Sequence, residues 1–148
     1  EFVNRTSVFK GPVGSLKLHL LIEDDRGDSL QVGEIYAELA ARRLVDFFFG
    51  PYLSPLAMVA AHISNVTNIL TMMFGAASPS LFQQGYRRIF TTDVFATDYM
   101  TNAMEVSQMM GARTVALVWE SNNFDMAVCG GAAAHARRLN LTVLVQQQ

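Results

Sequence analysis

The chain has 148 residues, 51% of them hydrophobic, with 13 acidic and 11 basic side chains and a formal charge of −2. That length allows one domain or one piece of a larger one, and the apolar content excludes a disordered polar chain. No apolar run reaches the ~18–20 residues of a membrane span, and arginines scattered as Arg42-Arg43, Arg87-Arg88 and Arg137-Arg138 exclude the basic stripe of a nucleic-acid binder.

Leu16, Leu18, Leu20 and Ile22 alternate along residues 15–22, which predicts a strand ending in the polar turn 23–29. Val32, Ile35, Tyr36, Leu39 and Ala40 then recur at helical spacing, predicting a helix over 30–45. Phe47–Phe49 reads as a short buried strand. Ser54 suits a helix N-cap and Pro55 the first helical position, with the helix running to about residue 65. Residues 69–73 read as the next strand, 75–80 as a loop, and Ile89–Thr91 as a further short strand. Ala96, Met100, Ala103, Val106 and Met110 line one face of a helix predicted over 95–110, which Gly111 ends. Residues 114–119 are the most strand-like segment. A helix is expected over 125–139 with Ala127, Gly130, Gly131 and Ala134 inward, then a strand over 141–145 and a frayed end over 146–148.

This order, β-α-β-α-β-(β)-α-β-α-β, implies an α/β fold with a parallel sheet covered by helices on both faces, a three-layer αβα arrangement. One device occurs twice: an apolar strand runs into Phe-Gly, and Ser-Pro opens a helix a few residues later. The instances are Phe49-Gly50 with Ser54-Pro55, and Phe74-Gly75 with Ser78-Pro79. Both place small residues and free backbone N–H groups at the carboxyl end of a parallel strand, where open α/β sheets bind ligands.

Other residues carry less. Cys129 is the only cysteine and reads as a small buried helix residue; an internal disulfide is excluded. Asp24, Asp25 and Asp28 lack the glycine turn and terminal Glu of a calcium loop and read as a solvated turn. His19, His62 and His135 lie on separate elements, so no metal or other cofactor is expected. The methionines read as core fillers. Three sequons, at Asn4, Asn65 and Asn140, tilt toward a secreted or cell-surface domain. The start at Glu1-Phe2, abrupt and without a Met, reads as a processed or subcloned segment would.

The run Lys17-Leu18-His19-Leu20-Leu21-Ile22-Glu23-Asp24-Asp25-Arg26-Gly27-Asp28 resembles the second strand and acidic turn of leucine/isoleucine/valine-binding proteins. The Gly50 to Ser54 loop, Gly75-Ala76-Ala77-Ser78-Pro79-Ser80-Leu81, and Val115-Ala116-Leu117-Val118-Trp119-Glu120 with Phe124 are similar to that family in the same order. The family has the type 1 periplasmic-binding fold and includes bacterial solute-binding proteins and the ectodomains of natriuretic-peptide receptors, class C receptors and receptor-type cyclases. The resemblance implies two αβα lobes closing on a small ligand at the hinge. It places residues 1–112 in a first lobe, incomplete at its N-terminal side, and residues 113–148 at the start of a second.

The resemblance also implies a site. Ser54 falls at the serine that holds the ligand carboxylate in amino-acid binders, Gly75, Ala76 and Ala77 fall in the second binding loop, and Tyr52 and Phe124 flank the cleft. Ser54 serves equally as a plain helix cap, Gly50 and Gly75 as turn glycines, and Tyr52 as a locally packed aromatic. Amino-acid binders carry hydroxyls where Ala77 and Phe124 stand, which points to a less polar ligand or none. The expected function is an extracellular, non-enzymatic ligand-binding domain that signals by lobe closure, with a small-molecule partner such as an amino acid or a relative of one, and room for a homodimer. A solute-binding protein of an amino-acid transport system is the alternative. A nucleotide-binding enzyme is a third reading, without a Gly-x-Gly-x-x-Gly or Walker-type loop, and with Lys10 and Lys17 as the only lysines.

Overall fold

The computed structural model describes Lys10, Gly11, Gly14, Ser15 and residues 18–147. Lys10–Gly11 (β1) and Gly14–Ser15 (β2) form a minimal antiparallel hairpin. The strand expected over 15–22 is not formed at residues 18–22, where Leu20 and Ile22 are 67% and 81% exposed. Alternation makes a strand only where a neighbour accepts its backbone groups. Residues 16 and 17 lie outside the described residues.

Helix α1 spans Ser29–Ala41 because the Asp28 carboxylate accepts the N–H groups of Leu30 (2.7 Å) and Gln31 (3.4 Å). The acidic turn before it has the same local logic: Asp24 and Asp25 accept the N–H groups of Arg26 and Gly27. The helix stops four residues short of the expected 45. Arg43 turns left-handed at φ 54°, and the N–H groups of Arg43 and Leu44 close back onto the Ala40 and Leu39 carbonyls.

Strands β3 (Phe47–Phe49), β4 (Leu70–Met73) and β5 (Ile89–Thr91) make a three-stranded parallel sheet in that order. Helix α2, Ser54–Thr67, crosses from β3 to β4, and the short α3, Pro79–Phe82, follows β4. In register, Phe48, Thr71 and Ile89 form one row and all are buried. That face packs on α1 and α2 through Val32, Tyr36, Leu56 and Ala60, and on α2 and α3 through Ala57, Ala61 and Leu81. On the opposite face Phe47, Phe49, Leu70 and Phe90 are exposed.

The helix expected over 95–110 is divided. Ala96–Asp98 forms a 3-10 turn, and helix α4 begins only at Thr101, running to Met109. Ala96 is fully buried, and its N–H bonds the Ala77 carbonyl at 2.9 Å, which holds the turn against the β4 loop. Gly111, at φ 92°, closes α4 by sending its own and the Ala112 N–H back to Gln108 and Ser107.

A second, two-stranded parallel sheet pairs β6 (Thr114–Val118) with β7 (Thr142–Gln147), with an irregularity between Val115 and Ala116. Gln146 and Gln147 pair with Leu117 and Val118, so they belong to the ladder rather than to a frayed end; Gln148 lies outside the described residues. Helix α5, Asn123–Arg138, joins the strands and buries Ala132, Ala133, His135 and Ala136. Gly130 and Ala134, expected inward, are exposed. The helix packs on two surfaces at once, β6–β7 with α4 on one side and the 3-10 turn on the other, which rotates its inner stripe. Met73 and Met104 fill cores, whereas Met109 and Met110 stand 84% and 83% exposed on the last turn of α4. Cys129, expected buried, is only partly so.

Candidate functional site

A cleft of about 350 Å³ opens between the two sheets. One wall is Tyr52, Leu53, Ser54, Pro55 and Gly75, from the loops after β3 and β4. The other is Glu120, Asn122, Phe124 and Asp125, from the loop after β6 and the start of α5. A recess of about 310 Å³ between α1 and α2 has mostly aliphatic walls. Its polar side chains are engaged, Thr67 with the Ile63 carbonyl and His62 with the Tyr86 hydroxyl.

The first wall is built by close approaches. Gly50 and Gly75 do not have positive φ, so neither serves as a left-handed turn glycine. A methyl group on Gly50 would lie 2.3 Å from the Met73 sulfur, and one on Gly75 would lie 2.6 Å from the Tyr52 ring. Strand β3 therefore runs tight against β4, and Tyr52 folds over Gly75 while remaining 68% exposed at the rim. Leu53 bridges the loops by donating to the Gly75 carbonyl at 3.0 Å.

Ser54, expected as the N-cap, is instead the first residue of α2, and Pro55 is the second. The cap position belongs to Leu53, at φ 78° and ψ 132° with no side-chain cap. The Ser54 side chain turns to the neighbouring loop: its Oγ accepts the Ser78 N–H at 3.2 Å. Only 3% exposed, it lines the cleft with its own O–H left to donate.

Ala76 and Ala77 are buried behind the cleft lining, at 0% and 2% exposure. Their contribution is through the backbone: Ala76 N–H reaches the Asp93 carboxylate at 3.3 Å, and the Ala77 carbonyl takes the Ala96 N–H. The structure thus brings Tyr52, Ser54, Gly75 and Phe124 to one cleft and sets Ala76 and Ala77 one layer back.

The second wall is polar. Asn122 caps α5 by accepting the Asp125 N–H at 2.9 Å, and its amide donates to Asp125 at 2.8 Å and to Glu120 at 3.4 Å. Phe124 meets Tyr99 edge to face, with ring centroids 5.6 Å apart. Burial raises the Tyr99 phenol above its ordinary range, with the Asp93 charge and Tyr52 adding to it. Burial likewise pushes the Cys129 thiol up, and the Asp125 charge adds to it. The sequence places the Trp119–Phe124 loop opposite the two Phe-Gly loops but singles out only Phe124 on it; Glu120, Asn122 and Asp125 line the same wall, and the Asn-x-x-Asp capping pattern at the head of α5 was the available signal for the last two.

The walls also touch beside the cleft. Ser78, 1% exposed, shares a 2.9 Å hydrogen bond with Ser80 and donates to the Asn123 carbonyl at 3.2 Å. Gly131 of α5 lies against the Thr97 backbone, where a methyl group would come within 2.0 Å of the carbonyl oxygen. Among the described residues no group of three or more His, Cys, Asp or Glu could hold a metal ion, and no helix is long and apolar enough to cross a membrane.

Solved structures share this architecture. A substrate-binding protein of an ABC transporter from Desulfitobacterium hafniense, in complex with Leu, superposes with a TM-score of 0.85 at 17% identity, covering 99% of this chain and 43% of that one. A leucine-binding protein from Thermotoga maritima gives 0.77 at 13% identity, covering 88% and 37%. A solute-binding protein from Rhodopseudomonas palustris, in complex with p-hydroxybenzoic acid, gives 0.79 at 18% identity, covering 86% and 35%. The chain therefore spans about two fifths of the length of such proteins. Residues 10–148 match the receptor family ligand binding region. By that match, and by its parallel α/β architecture, the chain belongs to the receptor family ligand-binding region, with the type 1 periplasmic-binding-like fold.

Proposed function

We propose that the chain forms part of an extracellular or cell-surface sensor that binds a small molecule between two lobes and signals by their closure. Residues 1–112 supply most of one lobe and residues 113–148 begin the other. The observation that carries this reading is the cleft itself: loops from two separate sheets meet around about 350 Å³, the scale of a small-molecule site. A ligand touching both walls stabilises the closed arrangement by its differential affinity for it. Ser54 supplies a buried hydroxyl on one side and Phe124 an aromatic surface on the other.

Solute delivery to a transporter is the second reading, favoured by similarity to transporter substrate-binding proteins that hold Leu or hydroxybenzoates. Either way the chain's part is binding, and we assign it no catalytic step. The test is a thermal-shift screen of the full-length protein against amino acids, hydroxybenzoates and nucleotides, with small-angle scattering of the complexes. Stabilisation by an amino acid or hydroxybenzoate with a more compact particle is expected. Stabilisation by nucleotides alone sinks the reading.

A further inference from the structure

We propose that the Ser78 hydroxyl latches the two walls of the cleft together before a ligand arrives, and so sets the resting degree of closure and the apparent affinity of the site. It rests on the lobe-closure reading above and names a residue that regulates it. Ser78, in the loop after β4, is 1% exposed and donates to the Asn123 carbonyl in the first turn of α5 at 3.2 Å. The bond therefore crosses from one wall to the other beside the cleft. A helix carbonyl has a second lone pair to accept it.

About two turns along α5 from Asn123, some way from the cleft at about 12 Å, Gly131 lies on the Thr97 backbone. The 3-10 turn that carries Thr97 is fastened to the same loop as Ser78, because the Ala96 N–H bonds the Ala77 carbonyl at 2.9 Å. With backbone against backbone, the Gly131 contact has little room to slide and serves as a fulcrum. Helix α5 is then a lever whose end carries Asn123. A small rotation about Gly131 parts Ser78 from Asn123 and leaves the fulcrum intact.

The protons make this contact a switch rather than a fixed strut. A serine hydroxyl has one proton and two lone pairs. Ser78 and Ser80 share a 2.9 Å hydrogen bond in which either can donate. A carbonyl only accepts, so while Ser78 holds Asn123, Ser80 must donate to Ser78. When the walls part, the Ser78 proton turns to the Ser80 oxygen, and Ser80, half-buried, turns its own proton to water. Opening thus forfeits one neutral hydrogen bond without stranding a buried polar group, which changes the open-to-closed ratio by about three- to tenfold. The latch also meets the ligand site: Ser54 accepts the Ser78 N–H at 3.2 Å and lines the cleft. A ligand that takes the Ser54 proton makes that oxygen a stronger acceptor and pins the Ser78 loop.

The test compares the full-length protein with its Ser78→Ala and Ser80→Ala variants. Small-angle scattering and amide hydrogen exchange are measured without ligand, and calorimetric titrations use L-leucine and 4-hydroxybenzoate. Ser78→Ala should enlarge the ligand-free particle and speed exchange in the first turns of α5 by about three- to tenfold. It should weaken whichever probe binds by a similar factor, because affinity scales with the closed fraction. Ser80→Ala removes the alternative acceptor and should act the other way, slowing exchange at the head of α5. If Ser78→Ala loosens β4 as much as α5, the whole fold has weakened and Ser80→Ala decides: slower exchange at α5 upholds the latch, and faster or unchanged exchange refutes it. Unchanged particle size and unchanged exchange in Ser78→Ala overturn the latch and leave the cleft reading standing. Scattering and exchange that move as expected, with neither probe bound, uphold the latch and count against the ligand classes named for the cleft.

Discussion

The Ser54 hydroxyl accepts the backbone N–H of Ser78 at 3.2 Å, tying the two Ser-Pro loops of the first sheet to each other. Both serines are almost fully buried, and Ser78 continues to the Asn123 carbonyl on the far side of the cleft. A chain of hydrogen bonds thus runs from the head of α2 to the head of α5. Ser54→Ala breaks it at the first link and leaves the Ser78 N–H unpaired in a buried setting. Denaturant unfolding of the full-length protein should show a loss of about 1–3 kcal/mol. An unchanged unfolding midpoint would mean that water replaces the hydroxyl.

Adjacent glycines on α5 should respond with opposite signs. At Gly131 a methyl group would sit 2.0 Å from the Thr97 carbonyl oxygen, and the nearby contacts are also backbone, so no side-chain rotation relieves it. At Gly130 a methyl group meets nothing within 4 Å. Gly131→Ala should therefore pull the 3-10 turn off the helix and destabilise the protein by about 1–3 kcal/mol, as overpacking does. Gly130→Ala should stabilise it by about 0.5–1 kcal/mol through helix propensity. Parallel thermal melts of the two variants decide this, and a stabilising Gly131→Ala would refute the close approach.

What the sequence revealed follows the reach of each signal. Periodicity and turn chemistry are local, so β3, β4, β5, α2 and the β6-α5-β7 unit were legible to within a few residues. Helix ends were less so, because Arg43 adopts the left-handed turn that a glycine would have announced. The alternation through Leu20 and Ile22 was read as a strand, although a strand's existence depends on a partner that pattern alone does not supply. Ser54 lay in the candidate site from the start, but its bond to Ser78 spans 24 residues and has no local signature. Nothing local marks Glu120 and Asp125 as cleft-lining: the first is a loop carboxylate ahead of the Asn122 cap, and the second sits in the first turn of α5, where an acidic side chain is so often only a helix-end charge.

Tyr36 couples stability to alkaline pH. Its hydroxyl donates to the Phe49 carbonyl at 2.5 Å, anchoring α1 to the end of β3 just before the Gly50 loop. Burial raises its phenol well above the ordinary tyrosine range, and the Asp25 charge adds to the shift. The folded state therefore holds the neutral form after the unfolded chain, titrating near ~10, has begun to ionise. The contribution is complete below that pH and is lost as pH rises through and beyond it. Tyr36→Phe should cost about 1 kcal/mol near pH 7 for the hydrogen bond. It should also flatten the decline in stability between about pH 10 and 11. Urea titrations of both proteins across that range are the measurement, and equal slopes would disprove the coupling.

Leu53 sits where stability and binding should trade against each other. Its φ of 78° with ψ of 132° is a conformation costly for a branched side chain, about 1–3 kcal/mol. Two bonds hold it there: its N–H to the Gly75 carbonyl and its carbonyl to the Ala57 N–H, both at 3.0 Å. The side chain is 48% exposed, so removing it sacrifices little packing. Leu53→Gly keeps both backbone bonds and releases the strain, while the added freedom of the unfolded chain returns about 0.5–1 kcal/mol of the gain. A net stabilisation of about 1 kcal/mol should result. Affinity should move the other way, because the loop carrying Tyr52 and Ser54 gains freedom that a ligand must remove on binding. Denaturant unfolding and calorimetric titration on the same variant measure the two effects separately. A variant that loses stability would show that Leu53 is held by its side-chain contacts rather than strained against them.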